Sequence, residues 1–463
     1  MNSKKKSRFK RLTMMRVGIS ILFCLCFCNL NAQELPKLAK EAAIADLETL
    51  IKTIEEVHYN PYWDIPKEDF SKKKDSLIGI WGHSDSISLK QFILTGMELT
   101  ALINDGHTTL DWQNPQLFPA LINYKFLPFK AKLIDGKLCV TGSLDDRVPQ
   151  GIEVLSINGL NAQQLYADVM ATKGGLTSFK NEMCESFFPI YLFLRSIKAP
   201  YLVQLKGQGT VILERGLSLN EWTPLIENKE LKSNYSFKIL DEDIAYIAYN
   251  SCQDYEAFQA FLTETFQTIK DKKLDKLIVD IRNNGGGNSM LNDLLLPYFT
   301  RKRYRQSSER HWKVSATMKD RISDSLYIKV FGKEFIAKYK QAEDGIVIKE
   351  KDAKLTKPKK PKNYFKGKAC MLIGPQTFSS ANFLADAVAT YNLATLIGQA
   401  TGEATNDFGE QIEFQLPNSG TYYFTTVAYD IGADGKVEKH DPIYPDIELH
   451  KDVLEGAKQW LRR

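Results

Sequence analysis

Gly374-Pro375-Gln376-Thr377-Phe378-Ser379-Ser380-Ala381-Asn382-Phe383 joins one apolar run, Ala369 to Ile373, to a second apolar segment, Phe383 to Ala389. The first run predicts a buried strand, and the spacing of the second predicts a buried helix. A serine at such a strand-to-helix turn has two chemical assets. Its hydroxyl can project at the rim of a sheet, and the free N–H groups of the helix start can hold a developing oxyanion. The ordinary role of Thr377, Ser379 and Ser380 at this place is a helix N-cap. Whether the turn does more depends on what other segments bring to it.

Upstream, Ile244 to Tyr249 predicts a strand, Tyr255 to Lys270 a helix and Lys276 to Ile281 another strand, an alternation that argues for a β-α-β layer with its active edge at the strand ends. The last strand runs straight into Arg282-Asn-Asn-Gly285-Gly-Gly287-Asn288, and a helix is expected from about Met290 to Phe299. Three glycines in a row bring bare backbone close to something. The ordinary alternatives are a flexible loop or a phosphate cradle, and against the cradle no Gly-Lys-Ser/Thr follows and the spacing is not Gly-x-Gly-x-x-Gly. Residues 301–368, with Arg301-Lys-Arg-Tyr-Arg305 and the Lys- and Pro-rich stretch from Lys354 to Lys368, read as solvated faces or a mobile insertion.

The first third is mainly helical by spacing, from Leu38 to His58 and from Leu89 to Ile103. The second helix enters Asn104-Asp-Gly-His107-Thr-Thr-Leu110, where an Asp-Gly turn leaves His107 on a loop able to face a cleft. His58 reads as a helix-end residue with a packing or capping role. From about Leu117 to Gly216 short β runs take over. Phe126 to Ile134 and Lys137 to Thr141 flank an Asp-Gly hairpin turn, and a helix is expected from Ala162 to Ala171. Gly151-Ile-Glu-Val-Leu-Ser-Ile-Asn-Gly159 resembles the strand-turn unit of a PDZ domain, which implies capture of an extended peptide by strand addition. Met183 to Ile197 reads as a core helix.

The 463 residues, 43% hydrophobic and 25% charged, are ample for two or three folded domains. Residues 1–32 carry seven Lys or Arg and no acid, which takes the remainder from a net +5 to −2 and removes any electrostatic case for nucleic acid. That basic start precedes the apolar run Val17 to Cys28 and then Ala32, the pattern of a secretory signal. Export to the periplasm or beyond is expected. Lipid attachment at Cys24, Cys26 or Cys28 is disfavoured, since Phe23, Leu25 and Phe27 stand where small residues are wanted. The later cysteines, Cys139, Cys184, Cys252 and Cys370, lie too far apart for a zinc motif.

Asp280-Ile-Arg-Asn-Asn-Gly-Gly-Gly287, Thr377-Phe-Ser-Ser-Ala381 and Asp105-Gly-His-Thr108 together resemble the serine peptidases of the carboxy-terminal processing, or tail-specific, family. The order of segments is similar too, so the resemblance spans nearly all of the chain after residue 32. It implies a multidomain α+β protein: signal peptide 1–32, N-terminal helical domain 33–116, PDZ-like domain 117–232, and an α/β peptidase core of the ClpP/crotonase type over 233–463 with a Lys-rich insertion at about 301–368. The family's nucleophile falls on Ser379. Its oxyanion hole falls on the N–H groups of Ser380 and Gly286, in line with the need of an acyl-transfer intermediate for two rigid donors about 3 Å away. Members with a Ser-Lys dyad carry the lysine about two dozen residues beyond the serine, in a Gly-Lys, and here Leu396 to Gly409 contains no lysine. The chain is therefore more similar to the tricorn-core and interphotoreceptor retinoid-binding protein branch, in which a histidine after the N-terminal helices is the base. That histidine is His107.

The same branch places a glutamate shortly before a Pro-Asp-Ile strand, which points to Glu438 ahead of Tyr444-Pro-Asp-Ile447. Tricorn passes this carboxylate through a serine beside the histidine, where this chain has Gly106. The orienting group is thus open among Glu438, Glu403 and Asp105, with Thr108 or water as relays. The implied function is an exported serine endopeptidase or tail processor that hydrolyses peptides or proteins through an acyl-enzyme. No cofactor or metal is expected. The alternative from another class is a catalytically silent protein that binds a peptide or hydrophobic ligand in the same cleft.

Overall fold

A computed structural model of the chain describes residues 35–226, 233–322, 331–351 and 354–463. The expected export signal lies outside them, and no helix of the described residues is long and apolar enough to cross a membrane. Helix α1 (Lys40–Val57) buries Ala43, Leu47, Leu50, Ile54 and Val57, a stripe at helical spacing. It stops at His58, whose backbone swings to an extended conformation just ahead of Asn60-Pro61. Helix α2 (Leu89–Ala101) starts at Ser88, whose hydroxyl accepts the Gln91 N–H at 3.2 Å, and buries Phe92, Ile93, Met97 and Leu99. It ends in a turn with Asn104 at φ 59°, from which the chain passes through His107 into the two-residue strand Thr109–Leu110.

The middle of the chain opens with the expected hairpin, β1 (Phe129–Ile134) and β2 (Lys137–Ser143). Asp135 and Gly136 both have positive φ, as a primed two-residue turn requires. Then come β3 (Val154–Ile157), β4 (Leu160–Asn161), α3 (Ala162–Met170), α4 (Thr177–Leu194), β5 (Tyr201–Leu205) and β6 (Gly209–Leu213), whose strands form a sheet in the order β4-β3-β5-β6. One buried apolar cluster runs from Ala43 to Trp222 and takes in Leu416 and Tyr423, so these strands share their core with α1 and α2.

The remainder builds two sheets from β7 (Tyr235–Leu240), β8 (Ile244–Tyr249), α5 (Tyr255–Asp271), β9 (Lys276–Asp280), β10 (Glu309–Lys313), β11 (Val347–Lys351), β12 (Lys368–Ile373), α6 (Ser380–Tyr391), β13 (Thr395–Gly398), β14 (Asp407–Gln415), β15 (Tyr422–Ile431), β16 (Ile447–Glu448) and α7 (Val453–Arg462). The first sheet has the order β7-β8-β9-β12-β13-β16, parallel from β8 onward. Its central strands are apolar on both faces because each face is covered. Leu277, Val279, Met371 and Ile373 pack with α5 and α6, while Ile278, Cys370 and Leu372 pack with α7. The glycine loop and the Ser379 turn both leave the carboxyl ends of two adjacent parallel strands, β9 and β12, the edge where α/β sheets place their sites.

The second sheet runs β11-β10-β15-β14, with Thr109–Leu110 paired onto β15. That pairing carries His107 to the core.

Two expectations need correction. The helix expected from Met290 to Phe299 is broken into a 3₁₀ turn, the single turn Asn292–Leu295 and a second 3₁₀ turn, since Pro297 has no N–H to continue the ladder. Part of residues 301–368 is not a solvated insertion: β10 lies inside the second sheet, and its Arg310 is neutralised by Asp430 and Glu410, each at 2.6 Å.

Candidate active site

The Ser379 turn is built from its neighbours' polar groups. Thr377 donates its hydroxyl to Ile281 O at 2.9 Å and accepts the Gly374 N–H at 3.1 Å, which folds the turn against the end of β9. Phe378 N–H goes to Asn284 O at 3.0 Å, and Gly402 N–H to Thr377 O at 3.1 Å. Between them Ser379 is held at φ 52°, ψ −126°, immediately before the first residue of α6. An L-residue in that conformation is strained, and strand-turn-helix serines that project a hydroxyl from a sheet edge are held in just such a sharp turn. The cap expectation fails for Ser379, whose side chain makes no capping hydrogen bond.

The glycine loop is pinned by its own motif. Arg282 doubles back on Asp280 at 2.6 Å, and Asn284 donates to Tyr249 O at 2.9 Å while its Oδ1 accepts the Gly286 N–H at 2.9 Å. Gly286, at φ 97°, lies so close to the serine that a Cβ there would stand 2.6 Å from Ser379 Cβ and 2.9 Å from Ser380 N. Ser380 adds its hydroxyl to Gly287 O at 2.6 Å, which ties the helix start to the loop. A polar cleft of about 480 Å³, with Ser289, Asp293, Gln306, Arg310 and Phe383 in its walls, flanks the loop and the first turn of α6.

His107 reaches this place from the other half of the chain. Its ring lies 4.6 Å from that of Phe378, which in turn stacks on Phe179 of α4 at 4.3 Å. Its Nδ1 is buried without a hydrogen bond and looks at two carboxyls, Asp105 Oδ1 at 3.6 Å and Glu403 Oε1 at 3.5 Å. Glu403 also accepts the Ser379 N–H through Oε2, so one carboxyl touches both the serine turn and the histidine. Gly402 makes this approach possible: a Cβ there would meet Pro375 O at 2.0 Å.

Charge follows from burial and pairing. Burial raises Asp105, but hydrogen bonds from His107 and His58 and the charge of His107 more than offset it, and the carboxyl is held well below its usual range. Burial lowers His107, yet the Asp105 carboxylate 3.6 Å from its Nδ1, with Glu403 and Asp407 beside it, carries it up to about 9. Glu403 is pushed well above the carboxylate range, and Asp407 up to about 7, by burial first and then by the other acids. Three carboxyls around one imidazole cannot all be ionised, and Asp105, with the most donors, keeps its charge.

The structure thus gathers Ser379, Ser380, Gly286 and His107, and it does not bring Glu438 to them. Glu438 stands exposed on the turn beyond β15, and no contact of its carboxyl with His107 occurs among the described residues. The acids that face the histidine are the two weighed beside it, Asp105 and Glu403. Two further participants escape sequence reading, Asp407 and Phe179, and so does the contact of the buried His58 with Asp105. The position of His58 before Asn-Pro at a helix end was its one visible signal.

Comparison with known proteins accords with this geometry. No curated protein matches the sequence. Three solved structures share the fold at TM-scores of 0.60–0.63: a CPAF mutant, 14% identical, mature CPAF, 15%, and mature CPAF complexed with lactacystin, 15%. Each match covers 91% of this chain and 96–97% of the other. Residues 243–449, which hold the glycine loop, Ser379 and Glu403, match the family model of Peptidase family S41, and by that domain the chain is a serine-type peptidase.

Proposed function

We propose that the chain is an exported peptidase in which Ser379 attacks the peptide carbonyl and His107 takes its proton. An acyl-enzyme forms, and the amine leaves with the proton returned by His107; water then repeats the sequence to release the acid. The observation that carries this is the convergence of a strained serine turn and a histidine from 272 residues upstream on one carboxyl, that of Glu403. Ser380 N–H, at the start of α6, supplies one oxyanion donor. In the resting arrangement Gly286 gives its N–H to Asn284, so that bond opens if Gly286 is the second donor. Asp105 orients His107 through Nδ1, which leaves Nε2 for the serine.

Glu403 follows Gly402, 24 residues past Ser379, and so stands where Ser-Lys members carry Gly-Lys; this favours the histidine-based, tricorn-like branch. The basic and apolar first 32 residues support export. The hairpin β1-β2, the sheet β4-β3-β5-β6 and α3 support a PDZ-like unit that presents peptide or protein substrate, and Phe179 of α4 brings that region to within one residue of Ser379.

Treating the protein with a fluorophosphonate probe and locating the adduct by peptide mass spectrometry tests the reading. An adduct on Ser379 that is lost in His107→Ala supports both roles. Labelling that survives His107→Ala removes the base, and a folded wild type that takes no label returns the binding alternative.

A further inference from the structure

Resting on His107 as the base, we infer that His58 is a positioning residue that acts on it through Asp105. His58 leaves α1 with its N–H still on Ile54 O at 2.9 Å, and its ring is wholly buried. Nδ1 accepts the Asn60 N–H at 3.1 Å, and a ring nitrogen that accepts a peptide N–H carries no proton. The ring proton of the neutral imidazole is therefore on Nε2, and it points at Asp105 Oδ2, 3.2 Å away. Backbone geometry thus selects the tautomer that can donate.

Asp105 Oδ2 also accepts the hydroxyls of Thr108 at 2.6 Å and Thr426 at 2.9 Å. Oδ1 accepts the His107 N–H at 2.8 Å and is the oxygen that looks at His107 Nδ1. Three donors on one oxygen fix the rotation of the carboxyl and keep the other oxygen toward the base. The histidine is itself clamped. Phe408 lies 4.5 Å from its ring, and Lys313 of β10 donates to Glu55 O at 2.6 Å and to His58 O at 2.9 Å. An apolar side chain would fill this buried site without the desolvation that an imidazole brings; what it could not do is donate to Asp105.

The test compares wild type with His58→Phe, which keeps a ring and loses the donor, and His58→Gln, which keeps an N–H donor without the ring. Fluorophosphonate labelling of Ser379 is followed over probe concentration to separate half-saturation from maximal rate, with thermal melts to confirm folding. Expected is a maximal rate lower by about tenfold or more in the Phe variant at unchanged half-saturation, with most of it recovered in the Gln variant. A folded Phe variant at wild-type rate, or a Gln variant as slow as Phe, overturns the inference while leaving His107 as base. If the Phe variant does not fold, ¹⁵N NMR of the wild-type rings decides: a neutral His58 protonated on Nε2 supports the role, and an Nδ1-protonated or charged ring overturns it. A wild type that takes no label overturns the peptidase reading and this inference together.

Discussion

Replacing Asp105 with Asn removes the charge that faces His107 Nδ1 at 3.6 Å with little change of shape. In the wild type His107 is carried up to about 9, so at pH 7 about one molecule in a hundred holds the neutral ring that can act as base. In the variant burial still lowers the imidazole, while hydrogen bonding and attraction from Asp105 are gone. The midpoint should fall from about 9 toward the ordinary 6.5, held part of the way by Glu403 and Asp407, which still face the ring. At pH 7 that alone would raise the neutral fraction, by about 75-fold at most. Against it stands the loss of the group that holds the ring's tautomer and orientation, worth about 10⁴ where an aspartate does this for a catalytic histidine. The loss is the larger effect. Fluorophosphonate labelling measured from about pH 6 to 10 should therefore show two changes: a plateau lower by about 10⁴-fold, where the ring is neutral in both proteins, and a midpoint displaced downward. Stability gives an independent reading. A raised histidine contributes stability that is complete below 6.5 and lost as pH rises through about 9, so wild-type unfolding free energy should decline across that window and the Asn variant should decline less. A variant midpoint that stays at the wild-type position would refute the assignment of Asp105 as the partner of the base.

Two further outcomes are expected. Ser379→Gly relieves a conformation at φ 52°, ψ −126° that glycine adopts freely, so the variant should take no probe and yet be more stable by about 1 kcal/mol, seen as a higher melting temperature; a lower one would argue against strain at the turn. Glu438→Gln should keep labelling within about twofold of wild type, because the carboxyl is exposed on its turn and surface charges contribute little, and a loss of tenfold or more would make Glu438 a partner of the histidine after all.

Why the sequence leads to Ser379 and leaves the acid open follows from what apolar pattern encodes. Strands β9 and β12 read as strands because Leu277–Val279 and Cys370–Ile373 are buried on both faces, and the motifs that matter follow those runs directly. Their closeness in space needs just one inference, that the strands are adjacent and parallel. His107 came within reach through resemblance, since no local pattern announces that Thr109–Leu110 pairs with β15, more than 300 residues on. Choosing among the three candidate acids, Glu438, Glu403 and Asp105, was beyond either route. Glu438 stands close to a recognisable Pro-Asp-Ile, whereas Glu403 is aimed by the contact of Gly402 with Pro375 and Thr377, which has no period and no composition. His58 is half legible for the same reason: read locally it ends a helix, as it does, while its partner lies 47 residues away. The charge balance of the site is likewise invisible in any segment. Asp105, Glu403 and Asp407 each look ordinary where they stand, and it is their convergence on one buried imidazole that leaves Asp105 ionised, pushes the other two toward the neutral form, and keeps His107 a cation that must lose its proton before Ser379 can give one up.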